Sequence, residues 1–405
     1  MAFLKTNMPR TRLGNGSATG GLLDIDARET VVLLGVLCLL PIRLFAFIGV
    51  YDIYLMALAF LITPCIVMSS MNFIFTREHA VMALLAMWTG IAFARNPTNV
   101  GCFIGWSMYV MPCVLLFALP QLEYRNEKKP LERGIVFFAP LLAVQLLIAI
   151  LFLFLKHGDH FNLHFSANIY WAKSNYIAAM LELPLIWLFD RLHHKTPNRK
   201  MTVLLFGMCL GALLLTVSRG GIFTFVFSII LYNILLGKKI PKLLIGLLGL
   251  FIAFAVMSNM GTNRMFQLLD RGNIDRIYLW LQSVELILKQ PVFGYGPGNV
   301  NLQADLINQA SKMPGPHNLI LEVMLHIGVG GFLIFAFLLS MLIKKAYVFF
   351  KMKKEPVFLV LIIASLMHSM VEPTFLGASY SFLFWYFMSI LLVRYKEEII
   401  CVGEN

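Results

Sequence analysis

The chain has 405 residues, 59% hydrophobic and only 13% charged, against roughly 45–50% apolar usage in soluble domains. With a mean hydropathy of +0.78 it is excluded from water-soluble folds and belongs in a bilayer. The net charge of +12 would suggest nucleic acid for a soluble protein, but here it marks cytoplasmic loops and a rim facing anionic membrane lipids, so a nucleic-acid partner is set aside.

About 20 apolar residues span a bilayer as a helix. Apolar runs fall near 29–50, 51–71, 80–94, 100–119, 134–156, 174–190, 201–218, 219–236, 241–258, 317–343, 356–371 and 379–394. The expected fold is therefore an all-α integral membrane protein of about twelve transmembrane helices. A tail over 1–28 leads into nine spans over 29–258, a polar loop over 259–316, three spans over 317–394 and a tail over 395–405. No apolar stretch with a small-residue cleavage site precedes the first run, so the first helix is expected to be an uncleaved anchor.

Lys and Arg alternate in density between successive loops. Lys5, Arg10, Arg12 and Arg28, the 125–133 and 191–200 segments, Lys238, Lys239 and Lys242, the 344–354 segment, and Arg394 with Lys396 make one rich set. Cytoplasmic loops retain such residues, which puts both termini in the cytoplasm and the 259–316 loop on the opposite face. The cysteines show no CxxC spacing, so neither a disulfide framework nor a zinc site is expected.

The long loop carries Arg264, Arg271, Arg276, Lys289 and Lys312. Within it, Ile277, Trp280, Leu281, Val284, Leu286 and Leu288 recur near helical spacing, predicting an amphipathic helix over 276–290 that Pro291 ends. A second amphipathic piece over 299–312 is expected after the Gly294–Gly298 turn. Both would lie on the outer membrane surface and roof a cavity between spans.

Candidate chemistry gathers where cations meet helix ends. Ser218-Arg219-Gly220-Gly221 joins the seventh run to the eighth; glycines allow close backbone approach and a helix N-terminus offers free N–H groups, so this turn can hold a phosphate beside Arg219. Its plainer reading is a tight helical hairpin with a snorkelling arginine. Arg276 stands one helical turn before Trp280, on the same face, and can grip phosphate oxygens with two parallel bonds. Arg264 and Arg271 suit either an anion or lipid headgroups. His317 follows Pro314-Gly315-Pro316 and opens the tenth run; it is either a helix cap or a proton acceptor beside the cationic loop.

Glu322 lies about 140° round the helix from His317 and is expected on another face, fixing packing or binding a cation. Arg43, inside the first run, either marks a site or snorkels to the interface. His368 and Glu372 share a face at i and i+4 and either line a cavity or pair with each other. Asp24-Ile25-Asp26 lies on the cytoplasmic tail, away from the cationic loop, and the glycines of 294–298 follow no strand, so no nucleotide site is read from either.

Taken together, Ser218-Arg219-Gly220-Gly221, Arg276 with Trp280, Pro291 with Gly294, Gly296 and Gly298, and His317-Asn318 with Glu322 and Gly328 resemble the O-antigen ligase and polymerase superfamily over roughly 205–335. The resemblance implies a C-type glycosyltransferase of the bacterial inner membrane, using an undecaprenyl-diphosphate-linked glycan at the periplasmic face. It implies that Arg219 and Arg276 bind the diphosphate and His317 acts at the acceptor. Arg43, Arg264, Arg271, Trp280, Asn318 and Glu322 are the expected surrounding substrate-binding residues. No cofactor or metal is expected, because arginines supply the positive charge.

Superfamily members ligate glycan to lipid A-core, polymerise it, or transfer it to protein hydroxyls. Polymerases carry two sizeable outer loops with a set Arg-to-Gly spacing; here one loop is long, and from Arg264, Arg271 and Arg276 the glycine position holds Asp275, Gln282 and Ile287. No soluble C-terminal extension of the protein-glycosylating kind is visible. The expectation is a ligase with lipid A-core as acceptor, with a polymerase or protein O-oligosaccharyltransferase as the alternatives. A polyprenyl-glycan flippase would need charge along a central cavity open to both faces, whereas these cations concentrate on one face.

Overall fold

The computed structural model describes residues 74–95, 100–124, 129–157, 174–194, 199–239, 246, 264–297, 302–304, 311–313, 315–370, 372 and 374–403. The first two expected spans, Arg43 and nearly all of the 241–258 run lie outside the described residues.

The helices are α1 (Arg77–Arg95), α2 (Val100–Glu123), α3 (Pro130–His157), α4 (Ser174–His193), α5 (Arg199–Leu215), α6 (Arg219–Leu235), α7 (Arg264–Lys289), α8 (Leu319–Lys353), α9 (Val357–Ser369) and α10 (Ala378–Gly403). Apart from α7, each coincides with an apolar run, because a segment in lipid must satisfy its backbone within itself. Gly105–Glu123, Leu131–Ile148 and Leu319–Lys353 are long and apolar enough to cross a membrane; α6 and α9 are shorter apolar helices.

The α7 helix begins at Arg264, earlier than the apolar spacing suggests, so all three arginines of the loop lie on one helix. The piece expected to be a second amphipathic helix instead contains two short antiparallel strands, β1 (Leu302–Ala304) and β2 (Ser311–Met313), with Leu302 opposite Met313 and Ala304 opposite Ser311. Short apolar runs do not distinguish strand from helix by period, and here mutual backbone pairing decides the outcome.

Two helices form the centre. α4 is buried continuously from Ile177 to Leu188, and α10 from Tyr380 to Val393. Helices buried on every side are surrounded by others: α4 packs against α5, α6, α9 and α10, while α10 also lies along α2. Pro184 sits inside α4 and Pro112 and Pro120 inside α2, positions that neighbouring helices make tolerable in membrane bundles.

Two rims close the bundle. At one, Arg394 binds Glu132 and Glu355, Arg191 also binds Glu132, and Lys129 binds Glu397. At the other lie the starts of α4, α6 and α8 and the end of α9, tied together by the contacts described below. These groups are the basic-rich and basic-poor sets separated by the sequence.

Candidate active site

The turn between α5 and α6 is built around Ser218. Its Oγ accepts from the Gly221 N–H at 3.2 Å and donates to Asn175 Oδ1 at 2.9 Å, capping α6 and tying it to the start of α4. Val217 just before it has φ +53°, a conformation β-branched residues rarely adopt. Gly221 is the point of closest approach: a Cβ there would lie 2.5 Å from Ala178 Cβ and 3.2 Å from Glu182 Oε1. Arg219, the first residue of α6, is exposed and so free to meet an anion at the helix N-terminus.

Beneath this turn, Glu182 is fully buried and its Oε1 lies 2.8 Å from His368 Nδ1. Glu372 lies one turn beyond His368, its N–H donating to the His368 carbonyl at 3.0 Å. Its Oε1 lies 3.2 Å from His317 Nδ1. His368 thus turns to Glu182 and Glu372 to His317, so a path of side-chain pairs joined by the His368–Glu372 backbone bond leads from beneath the Ser218 turn to His317.

The backbone of His317 is held from both sides. Trp280 Nε1 donates to the Pro316 carbonyl at 3.0 Å, and Asn318 caps α8, its Oδ1 accepting from the N–H groups of Ile320 and Leu321 at 3.1 and 3.2 Å. His317 itself has φ +52°. Such strain in a non-glycine residue persists only where the surroundings over-determine it, and it clusters at functional sites. Glu322 is buried under the bend before His317, where a Cβ on Gly315 would lie 2.6 Å from its Oε2. That oxygen has no hydrogen-bond partner among the described residues.

A glycine clasp positions α7 against α8. Helix α8 breaks at Gly328 (φ +70°, ψ 180°), freeing carbonyls that the segment after α7 takes up: Tyr295 N–H donates to Leu325 O at 2.8 Å and Gly296 N–H to His326 O at 2.9 Å. Val329 N–H donates back to Pro291 O at 2.7 Å, and Trp88 Nε1 takes Ile327 O at 2.9 Å. A Cβ on Gly328 would lie 2.2 Å from Val292 O, and one on Gly294 2.5 Å from Leu325 O. The glycines therefore serve backbone pairing between two segments. Trp88 stacks on Phe293 with centroids 4.8 Å apart, and the Arg95 guanidinium sits 4.9 Å from the same ring.

On α7, Leu279 and Ile287 pack with Leu325 and Tyr295 of the clasp region, while Ile277, Leu281, Val284 and Leu288 are exposed. The apolar stripe seen in the sequence is thus the outward one. At the far end of α7, Lys289 Nζ donates to Glu285 Oε1 at 2.7 Å and holds that carboxyl below its usual range through this hydrogen bond.

Of the residues singled out from sequence, His317, Trp280, Asn318 and Glu322 come together and Arg219 stands on the rim reached through Glu182 and His368. Arg276 lies one turn before Trp280 on α7; for it, Arg264 and Arg271 the helical backbone alone is described. Sequence reasoning missed Glu182 and Asn175. A carboxylate in the middle of an apolar run is itself a signal, and Glu182 carries it.

Among curated proteins none matches the chain. Residues 204–336 match the family model described as O-antigen ligase, a segment that contains the Ser218 cap, the Trp280 helix, the glycine clasp and the His317 bend.

Proposed function

We propose that the chain is an O-antigen ligase, moving glycan from an undecaprenyl-diphosphate carrier to a sugar hydroxyl of lipid A-core at the periplasmic face of the inner membrane. The observation that carries this reading is the continuity from the Ser218–Gly221 turn through Glu182, His368 and Glu372 to His317. This continuity supports a reading in which the start of α6 binds an anion and His317 accepts a proton at one rim of the bundle.

In the proposed step the acceptor hydroxyl oxygen attacks the anomeric carbon, and its proton passes to His317. The bond from that carbon to the diphosphate oxygen breaks, and undecaprenyl diphosphate leaves with the electron pair. A single displacement inverts the anomeric centre. A positioned general base contributes about 10²–10⁴-fold. Arg219 and Arg276 stabilise charge developing on the leaving diphosphate, where a partly dry site strengthens electrostatics. Arg43, Arg264 and Arg271 remain candidates for the carrier's phosphates or headgroups, Trp280 and Asn318 hold the His317 backbone, and Glu322 remains a candidate beneath the bend before His317.

Purified chain in liposomes, offered lipid A-core, unextended repeat-unit carrier and a serine-containing peptide in competition, tests the reading. Glycan on lipid A-core is the expected product; glycan on the repeat unit or the peptide would instead make the chain a polymerase or a protein glycosyltransferase. Transfer is expected to survive EDTA, since arginines carry the positive charge, and activity restored only by Mg²⁺ or Mn²⁺ would overturn that part of the mechanism.

A further inference from the structure

Resting on the reading of His317 as the base, we infer that Glu372 is its positioning residue, holding the imidazole through Nδ1 so that Nε2 takes the acceptor proton. The His317 main chain is pinned by the Trp280–Pro316 bond and the Asn318 cap, but neither contact fixes rotation of the ring. The Nδ1–Oε1 approach of 3.2 Å does. A carboxylate only accepts hydrogen bonds, so the neutral ring keeps its hydrogen on Nδ1 and leaves the lone pair on Nε2.

Glu372 is itself held in a tight link between α9 and α10. Its N–H donates to His368 O at 3.0 Å and its carbonyl accepts from Thr374 N–H at 2.6 Å. The link is closed by a 2.9 Å contact between Ser369 Oγ and Thr374 Oγ1. The side chains of His317 and Glu372 are 24% and 26% exposed, so the pair borders open space on one side while protein shields the other. When Nε2 takes the hydroxyl proton, Nδ1 keeps its own, and the positive charge on the ring sits beside the carboxylate until Nε2 releases the proton to water. Sequence spacing alone aligns Glu372 with His368 and conceals this partnership.

The full chain in nanodiscs, with histidine ¹⁵N-labelled, tests this through kcat, donor KM and the tautomer of His317, whose signal is identified by its loss in His317→Asn. Glu372→Ala is expected to lower kcat about a hundredfold with donor KM within about twofold, and to shift His317 from the Nδ1–H form towards a mixture. Glu372→Gln keeps an accepting oxygen but no charge, so the Nδ1–H signal should persist while kcat falls about tenfold; Glu285→Gln, on the far end of α7, should match the parent. The inference is overturned if Glu372→Ala leaves kcat and tautomer unchanged, or raises donor KM as steeply as it lowers kcat. If the alanine variant does not fold, a Gln variant with parental kcat overturns it equally. Failure of the base reading looks different: His317→Asn would then transfer glycan at the parental rate.

Discussion

At His317 a strained backbone conformation coincides with the proposed chemical role, and a substitution should separate them. With φ at +52°, asparagine tolerates the left-handed region better than alanine does and is the cleaner replacement. His317→Asn is therefore expected to abolish transfer while leaving thermal stability and lipid-diphosphate binding close to the parent's, measured by melting in detergent and by donor titration. Loss of donor binding as severe as the loss of activity would remove His317 from the acceptor side. The arginines allow charge to be set against geometry. Lysine keeps the positive charge but not the planar two-donor fork, and a charge-assisted bond contributes about 1.5–3 kcal/mol. Arg219→Lys and Arg276→Lys should each slow transfer roughly tenfold to a hundredfold, while tolerance of Arg264→Lys would place that side chain at lipid headgroups and a similar loss would place it on the carrier's phosphates. Near-parental rates from both would reduce them to generic cations.

Among the elements, the joint between α7 and α8 governs how the loop meets the bundle. A break in a membrane helix strands carbonyls that lipid cannot satisfy, and here Tyr295, Gly296 and Trp88 satisfy those of residues 325–327. Gly328 has a φ/ψ pair essentially confined to glycine, costing about 1–3 kcal/mol in other residues, and a Cβ would also meet Val292 O at 2.2 Å. Gly328→Ala should thus lower the melting temperature and loosen α7, seen as faster proteolysis in the loop. Trp88→Phe keeps an aromatic ring for Phe293 but loses one hydrogen bond, for an expected cost of about 0.5–1.5 kcal/mol. Equal stability of the glycine variant and the parent would show that the clasp does not hold the loop.

The molecule as a whole separates the proposed chemistry from anchorage by rim. Arg394 bridges Glu132 and Glu355 far along α10 from the His317 end, so removing it leaves partly buried carboxylates short of a partner, a change that costs about 3–5 kcal/mol for fully buried pairs and less here. Arg394→Ala is expected to lower stability while kcat of the surviving folded protein stays unchanged; a parallel fall in kcat would mean the rims are coupled. The same separation predicts topology. Single cysteines within 299–312 should react with a membrane-impermeant reagent from the periplasm, and those within 191–200 should stay protected. The reverse pattern would move the proposed site to the cytoplasm.

What the sequence by itself determined is what each segment must do alone. An apolar run in lipid has to form its own helix, and within the described residues every expected span is helical. Basic residues sort by loop, and the glycine and histidine motifs lie within the 204–336 segment that matches the O-antigen ligase family model. The tertiary structure decided the partnerships. His368 meets Glu182 across 186 positions and His317 meets Glu372 across 55, and no local period encodes contacts that helix packing alone creates. It likewise decided that Asn318 is spent on a cap, that the loop's second amphipathic piece forms paired strands, and that Gly328 opens α8 to the segment after α7. In each case the deciding partner is a backbone group or side chain brought close by another helix.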